Sequence, residues 1–284
     1  MMSLEVPRIV FDTAVFIDAA DGALGKGLPA QRISPTDWGM AVAYVEKNFL
    51  HAVSPITAAE LLAGVASGGA HHFPENKVAL WKLRHSFRAQ VELPFDKYFA
   101  LREIFGRAAP YPDGLEDNFM RIVDLVLEAN SVEDLSQRRV LFEGKAMNVK
   151  LAALAADRRK QDDRCRQVTE QIRTRDMKFD RAGRESFMLS KLQLDDTPGN
   201  RRLLAERLDA ALYWEMHCYQ KARDKKCPVD KICNMLHDLA QLTYLAAPDT
   251  TFVTRDKELE RATSKSTQAN RISLWDAFLE KCTN

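Results

Sequence analysis

The chain has 284 residues, 46% hydrophobic and 29% charged, enough to bury a large core in one or two domains. Its 41 Lys and Arg stand against 40 Asp and Glu. A global positive field is thereby excluded, and any nucleic-acid contact must use a local patch. No uninterrupted apolar run is long enough to span a bilayer, Glu5 and Arg8 bring charge where a signal peptide would be apolar, and five cysteines form no regular framework. These features lead us to expect free thiols, a cytoplasmic location and no membrane partner.

In chain order, Arg8 to Phe11 is an apolar β-type run that ends on Asp12. Thr13 to Ala20 continues as an apolar helix start, and Gly22, Gly25, Gly27 and Pro29 mark a loop. Thr36 or Asp37 is placed to cap a helix whose apolar face is Trp38, Ala41, Val42, Val45 and Phe49. His51 to Ser54 is short and β-like. A helix from about Thr57 carries Glu60 and Gly64, with Gly68 and Gly69 at its end. Pro74 suits the first turn of the next helix, which is expected to run through Val78, Trp81 and Phe87. Strand, helix, strand, helix is the order of a parallel sheet.

From Leu115 to Asp224 the periodicity is helical throughout. Ile122, Val123 and Val126 form one stripe, Val140 and Leu154 belong to another, and Leu204, Leu208, Ala211 and Tyr219 form a third. Thr197-Pro-Gly-Asn200 breaks the chain before that third stripe. The charged stretch from Gln137 to Arg184 reads as a solvated hairpin. The sharper reading is a nucleic-acid clamp in which Arg158, Arg159 and Arg166 touch phosphates. The end returns to α/β character: Pro228 starts a helix, Thr251 to Val253 is a strand ending on Thr254-Arg-Asp256, and Arg271 to Ser273 precedes a helix packed through Trp275 and Phe278. The organisation expected is an α/β domain with a central parallel sheet flanked by helices, split into residues 1–110 and 227–284 by an all-helical insertion at 111–226. The insertion is expected beside the acidic rim, not beneath the sheet.

Four acids stand in apolar settings: Asp12, Glu60, Asp238 and Asp256. A carboxylate taken from water is costly unless it is paired, hydrogen-bonded or bound to metal. If the strands before Asp12 and Asp256 pair in parallel, both acids project from the carboxyl-end rim, where open α/β sheets bind ligands. Oxygen ligands without a histidine cluster suit Mg²⁺ or Mn²⁺. Asp18 and Asp21 are nearby competitors to Asp12, but they follow the strand and read as surface. Cys227-x5-Cys233-x3-His237 departs from zinc-knuckle spacing, and its cysteines read as small core residues.

Asp12-Thr-Ala-Val-Phe-Ile resembles the opening motif of PIN-domain nucleases. Thr57-Ala-Ala-Glu60-Leu-Leu-Ala-Gly64 resembles their second, Asp238-Leu-Ala-Gln-Leu their third, and Thr254-Arg-Asp256 their fourth. The resemblance covers roughly the first hundred and the last fifty residues; the long insertion departs from the small toxin members. It implies a PIN-like fold and a Mg²⁺- or Mn²⁺-dependent ribonuclease. Asp12, Glu60, Asp238 and Asp256 would be catalytic and metal-holding, with Thr13, Thr254 and Arg255 near substrate. RNA is the implied partner, with an antitoxin or a second copy as protein partner if the chain is a toxin. A PIN-like scaffold that binds RNA or protein without cutting and a structure-selective DNA nuclease are the alternatives.

Overall fold

The computed structural model describes residues 6–28, 31–67, 69–107, 115–137, 141–142 and 145–283. Pro29, Gly68, the boundary expected near 110 and Val140 lie outside them. In chain order the elements are β1 (Arg8–Phe11), α1 (Thr13–Leu24), α2 (Pro35–Asn48), β2 (Leu50–Val53), α3 (Pro55–Ser67), α4 (Gly69–His85), β3 (Gln90–Glu92) and α5 (Asp96–Phe105). Then follow α6 (Leu115–Glu128), α7 (Val132–Gln137), β4 (Leu141–Phe142), β5 (Lys145–Ala146), α8 (Met147–Arg175), α9 (Arg181–Lys191), α10 (Pro198–Arg207) and α11 (Asp209–Arg223). The chain closes with α12 (Val229–Leu242), a 3-10 turn at Thr243–Ala246, β6 (Thr250–Thr254), α13 (Lys257–Thr263), β7 (Ile272–Leu274) and α14 (Trp275–Thr283).

The main sheet has five strands in the order β3-β2-β1-β6-β7, and every pairing in it is parallel. Strands buried on both faces read as continuous apolar runs, and this is why Ile9-Val-Phe and Phe252-Val show no alternation with polar residues. Alternate side chains enter two different cores. Ile9, Phe11, Val53 and Val253 join one with Phe16, Trp38, Phe87 and Trp275. Val10, Ala52, Phe252 and Ile272 join the other with Phe99, Trp214 and Tyr244.

Sheet order reverses at β1, which has β2 on one side and β6 on the other. Such a switch point leaves a crevice outside the carboxyl ends of the two strands, because their following helices leave on opposite faces. Phe11 pairs with Val253, and Asp12 N–H donates to Val253 O at 2.9 Å. Asp12 thus sits one residue beyond the ladder, at the mouth of that crevice.

Several expectations need correction. The middle of the chain is not all-helical, since β4 and β5 form a short antiparallel pair. It is also not confined to the rim. Ile122, Val123 and Val126 of α6 enter the first core, and Leu189, Leu204, Ala211 and Trp214 of α9 to α11 cover the second face of the sheet. The cap of α2 is Ser34, whose Oγ accepts from Asp37 N–H at 3.1 Å, with Pro35 at the first helical position where its missing N–H costs nothing. Helix α4 begins at Gly69, carries Pro74 inside it and stops at His85, short of Phe87. The single helix expected across Leu204 to Tyr219 is broken at Leu208, between α10 and α11.

Candidate active site

Asp12 is 7% exposed and caps no helix with its side chain. Thr254, fully buried at the end of β6, donates its Oγ1 hydrogen to Asp12 Oδ2 at 2.7 Å. The same Oγ1 accepts from Asp256 N–H at 3.0 Å. Asp256 Oδ1 in turn accepts from the N–H groups of Glu258 and Leu259, at 2.7 and 3.1 Å, capping α13. One threonine therefore links the two strand-terminal acids. Buried as it is, its hydroxyl meets the Asp12 carboxylate and positions it.

The other two acids arrive from helices. Glu60 lies on α3, within the helix that follows β2. Its Oε2 accepts from Thr13 Oγ1 and from Gln241 Nε2 at 3.2 Å, and Gln241 Nε2 also donates to Thr13 Oγ1 at 2.9 Å. Thr13 is thus a holder of Glu60. Gly64, one turn on, lets α3 approach α4: a Cβ there would stand 2.6 Å from Asn76 Oδ1, closer than side chains pack. Asp238 lies on α12, three residues before Gln241.

The electrostatics show which acids feel one another. Burial pushes the Asp12 pKa up to about 6; the Thr254 hydrogen bond opposes this, while the charges of Glu60 and Asp256 add to it. Asp238 is driven well above the carboxylate range, first by burial and then by repulsion from Asp12, Glu60 and Asp256, against the attraction of Arg158. All four acids found in the sequence therefore share one field. Like charges gathered without full compensation favour the protonated forms.

Arg158 of α8 is the cation inside this field. Its Nη1 donates to Glu60 Oε1 at 2.9 Å, and its Nε lies 3.6 Å from Asp162 Oδ1. His237 Nε2 meets the same Asp162 oxygen at 2.8 Å. A cleft of about 440 Å³ opens among these groups, lined by Thr13, Glu60, Arg158, Asp162, His237 and Asp238 among others. Sequence reasoning placed Arg158 only as a phosphate contact and did not single out Gln241 or Asp162. The partnership of Arg158 with Glu60 spans 98 positions, which no local pattern reveals. Gln241 follows Asp238 by three residues on one helix face, a spacing that could have flagged it.

Arg255 turns from the cleft: its Nε donates to Asp18 Oδ2 at 3.0 Å, and its guanidinium also reaches Asp276 at 3.4 Å. Asp18 is held there, as a partner of Arg255. Arg166 pairs with Asp230 at 3.1 Å and Asp163 at 3.4 Å, and Arg159 is exposed. Cys218 is buried in the second core, and Cys227 and Cys233 are buried as free thiols.

Among the described residues no three His, Cys, Asp or Glu side chains stand as a ready coordination shell. Thr254, Arg158 and the α13 backbone each occupy carboxylate oxygens of these acids. The donor set itself suits a hard cation, being carboxylate oxygen throughout. Gln241, 1% exposed, adds a buried Oε1 without a hydrogen-bond partner among the described residues; a stranded acceptor beside clustered acids is a site that a cation or its water would satisfy. No described helix is long and apolar enough to cross a membrane. No family model, curated protein or solved structure matches the chain.

Proposed function

We propose that the chain is a PIN-like, divalent-metal-dependent nuclease that hydrolyses RNA phosphodiester bonds at the β1–β6 crevice. The observation that carries the reading is the shared field of Asp12, Glu60, Asp238 and Asp256 at the switch point of a parallel sheet. Acids assembled at a fold's ligand-binding crevice, at a cost to the fold, are better explained by a cation than by packing.

Asp12, Asp238 and Asp256 would hold Mg²⁺ or Mn²⁺, and Glu60 would hold a second ion or orient the attacking water. The metal supplies Lewis acidity toward the phosphate and a lowered pKa for a bound water. The protein's own contributions follow from its contacts. Thr254 fixes the Asp12 carboxylate and, through the Asp256 backbone, the start of α13. Thr13 and Gln241 fix Glu60. Arg158 neutralises Glu60 and stands where an anionic substrate would compete with that carboxylate for its guanidinium.

The Arg158–Glu60 pair also supports a second reading, a PIN-like scaffold that binds RNA with Glu60 permanently neutralised. The deciding assay incubates the protein with labelled single-stranded RNA and with flap DNA, in Mn²⁺ and in chelator. Mn²⁺-dependent cleavage of RNA supports the nuclease; cleavage of flap DNA alone moves the substrate to DNA; RNA binding with no cleavage leaves the scaffold. As a toxin, the chain would have an antitoxin or a second copy as its protein partner, which co-purification from the native host tests.

A further inference from the structure

A second cleft, of about 480 Å³, adjoins the acid crevice and shares Glu60, Arg158 and His237 with it. Its walls are apolar, built by Ile56 and Ala59 of α3, Leu236 and Ala240 of α12, and Phe95 at the entry to α5. Polar groups also line it: Asp96 in the wall, and Asp157, Gln161 and Arg164 along α8. Asp96 is the unusual member. Burial pushes its pKa up, opposed only by the N–H groups of Lys97 and of Asp96 itself. Asp96 is half-buried at the start of α5; a carboxylate in an apolar wall that meets only main-chain donors has acceptor capacity left over, which N–H donors of a ligand would fill.

The neighbourhood says what would bring them. Single-stranded RNA is read by splaying bases out of the stack into apolar slots and hydrogen-bonding their edges. A slot that opens beside the acid crevice would be reached by a base adjoining the bond to be cut, and Arg164 in its lining offers the backbone a cation. Guanine fits the polar group in the wall, because its Watson–Crick edge presents a ring N–H and an exocyclic NH₂ side by side, matching the two oxygens of one carboxylate. Uracil puts carbonyls on both sides of its single N–H, and adenine offers one amino group beside a ring acceptor.

Resting on the nuclease reading above, we propose that this cleft is a base-recognition subsite that seats one unstacked guanine of the substrate strand, with Asp96 accepting from its Watson–Crick edge. The test uses four labelled single-stranded RNAs that differ only at one central base. Binding is followed by fluorescence anisotropy in chelator, and cleavage in Mn²⁺; the parent is also assayed on the base-free diester bis(4-nitrophenyl) phosphate.

The guanine RNA should bind at least about fivefold more tightly than the other three, the lower end of what a bidentate base contact gives. Asp96→Asn should narrow the spread to about twofold, and Ala240→Leu, which fills the slot from α12, should weaken the guanine RNA most and narrow the spread likewise; melting curves check that both variants fold. Equal binding of the four RNAs, or a guanine preference that survives Asp96→Asn, overturns the subsite. A parent that selects guanine yet cleaves neither RNA nor the base-free diester removes the nuclease reading and keeps the subsite. A parent that cleaves RNA with no base preference does the reverse.

Discussion

Strands β1 and β6 carry charge at both ends, and the two ends are built on opposite principles. At the amino ends Arg8 grips Asp249 with two parallel hydrogen bonds of 2.8 and 2.7 Å, and Glu103 adds a contact at 3.7 Å. The fork of a guanidinium matches a carboxylate, and each charge finds its opposite. At the carboxyl ends four acids repel one another, Arg158 attracts Asp238 against them, and two of the four have raised pKa values. The same strands thus hold charge that helps the fold and charge that burdens it. On the nuclease reading, the counter-charge that this rim lacks would come from a bound cation.

The largest expected effect sharpens that contrast by activity. Asp256→Asn keeps the shape and removes the charge, so RNA hydrolysis should fall by at least about a hundredfold, on the scale of losing one charge-stabilising group. Mn²⁺ should raise the melting temperature of the parent by mass action and that of the variant much less. Equal metal-induced shifts would remove Asp256 from the ligand set, and undiminished cleavage would remove it from the chemistry.

The pH dependence comes next. Asp12 binds its proton more tightly folded than unfolded, with a pKa of about 6 against 3.8. Its contribution to stability is therefore fully present below 3.8 and is lost as pH rises through about 6, a difference of about 3 kcal/mol from the shift. His51 works the other way: burial drives its pKa from 6.5 down to about 3, so its contribution is present above 6.5 and is lost as pH falls. The two overlap in one window, so the informative measurement is a difference. Urea unfolding in chelator at pH 4.5 and 7.5 should show Asp12→Asn gaining about 3 kcal/mol over the parent at the higher pH and about 1 kcal/mol at the lower. A constant gap at both pH values would break the assignment.

Removing charge from the opposite end should have the opposite sign. Arg8→Ala leaves Asp249 without its fork and should cost about 2 kcal/mol, allowing for partial solvent screening. RNA hydrolysis per folded molecule should be unchanged. A stabilising Arg8→Ala would erase the distinction between the two ends. The smallest effect concerns α8: if exposed Arg159 and Arg166 meet phosphates, replacing each with Ala should lower the salt slope of RNA binding by about 0.7. An unchanged slope would leave that helix face to solvent.

The acids were readable because each closes or interrupts an apolar run, as in Val10-Phe-Asp12 and Val253-Thr-Arg-Asp256. The sheet's inner strands were readable for the same reason. Edge strand β3 was not, because Gln90-Val-Glu92 is half-buried and polar. The break at Leu208 carries no Gly or Pro to announce it. The α2 cap was misplaced by two or three residues because Thr36 and Asp37 look as competent as Ser34. What holds the acids was hidden most deeply: Gln241 reaches Thr13 across 228 positions, and Arg158 reaches Glu60 across 98. Pairings of that span depend on the completed packing of α3, α8 and α12, whereas a strand ending on an acid depends on its neighbours alone.

Asp12 and Thr254 are 242 positions apart in the chain, and β1 is central only because β6 lies beside it. During synthesis β1 emerges early and keeps one edge open until β6 has been made. At roughly 5–20 residues per second that interval is on the order of tens of seconds. Non-local parallel pairing is slow to form because loop closure comes before its contacts, and an apolar strand with an open edge is a template for pairing with other chains. The crevice between β1 and β6 is completed only when β6 docks, so, on the nuclease reading, a nascent chain would carry its first acid long before it could cut the RNA it is translated from.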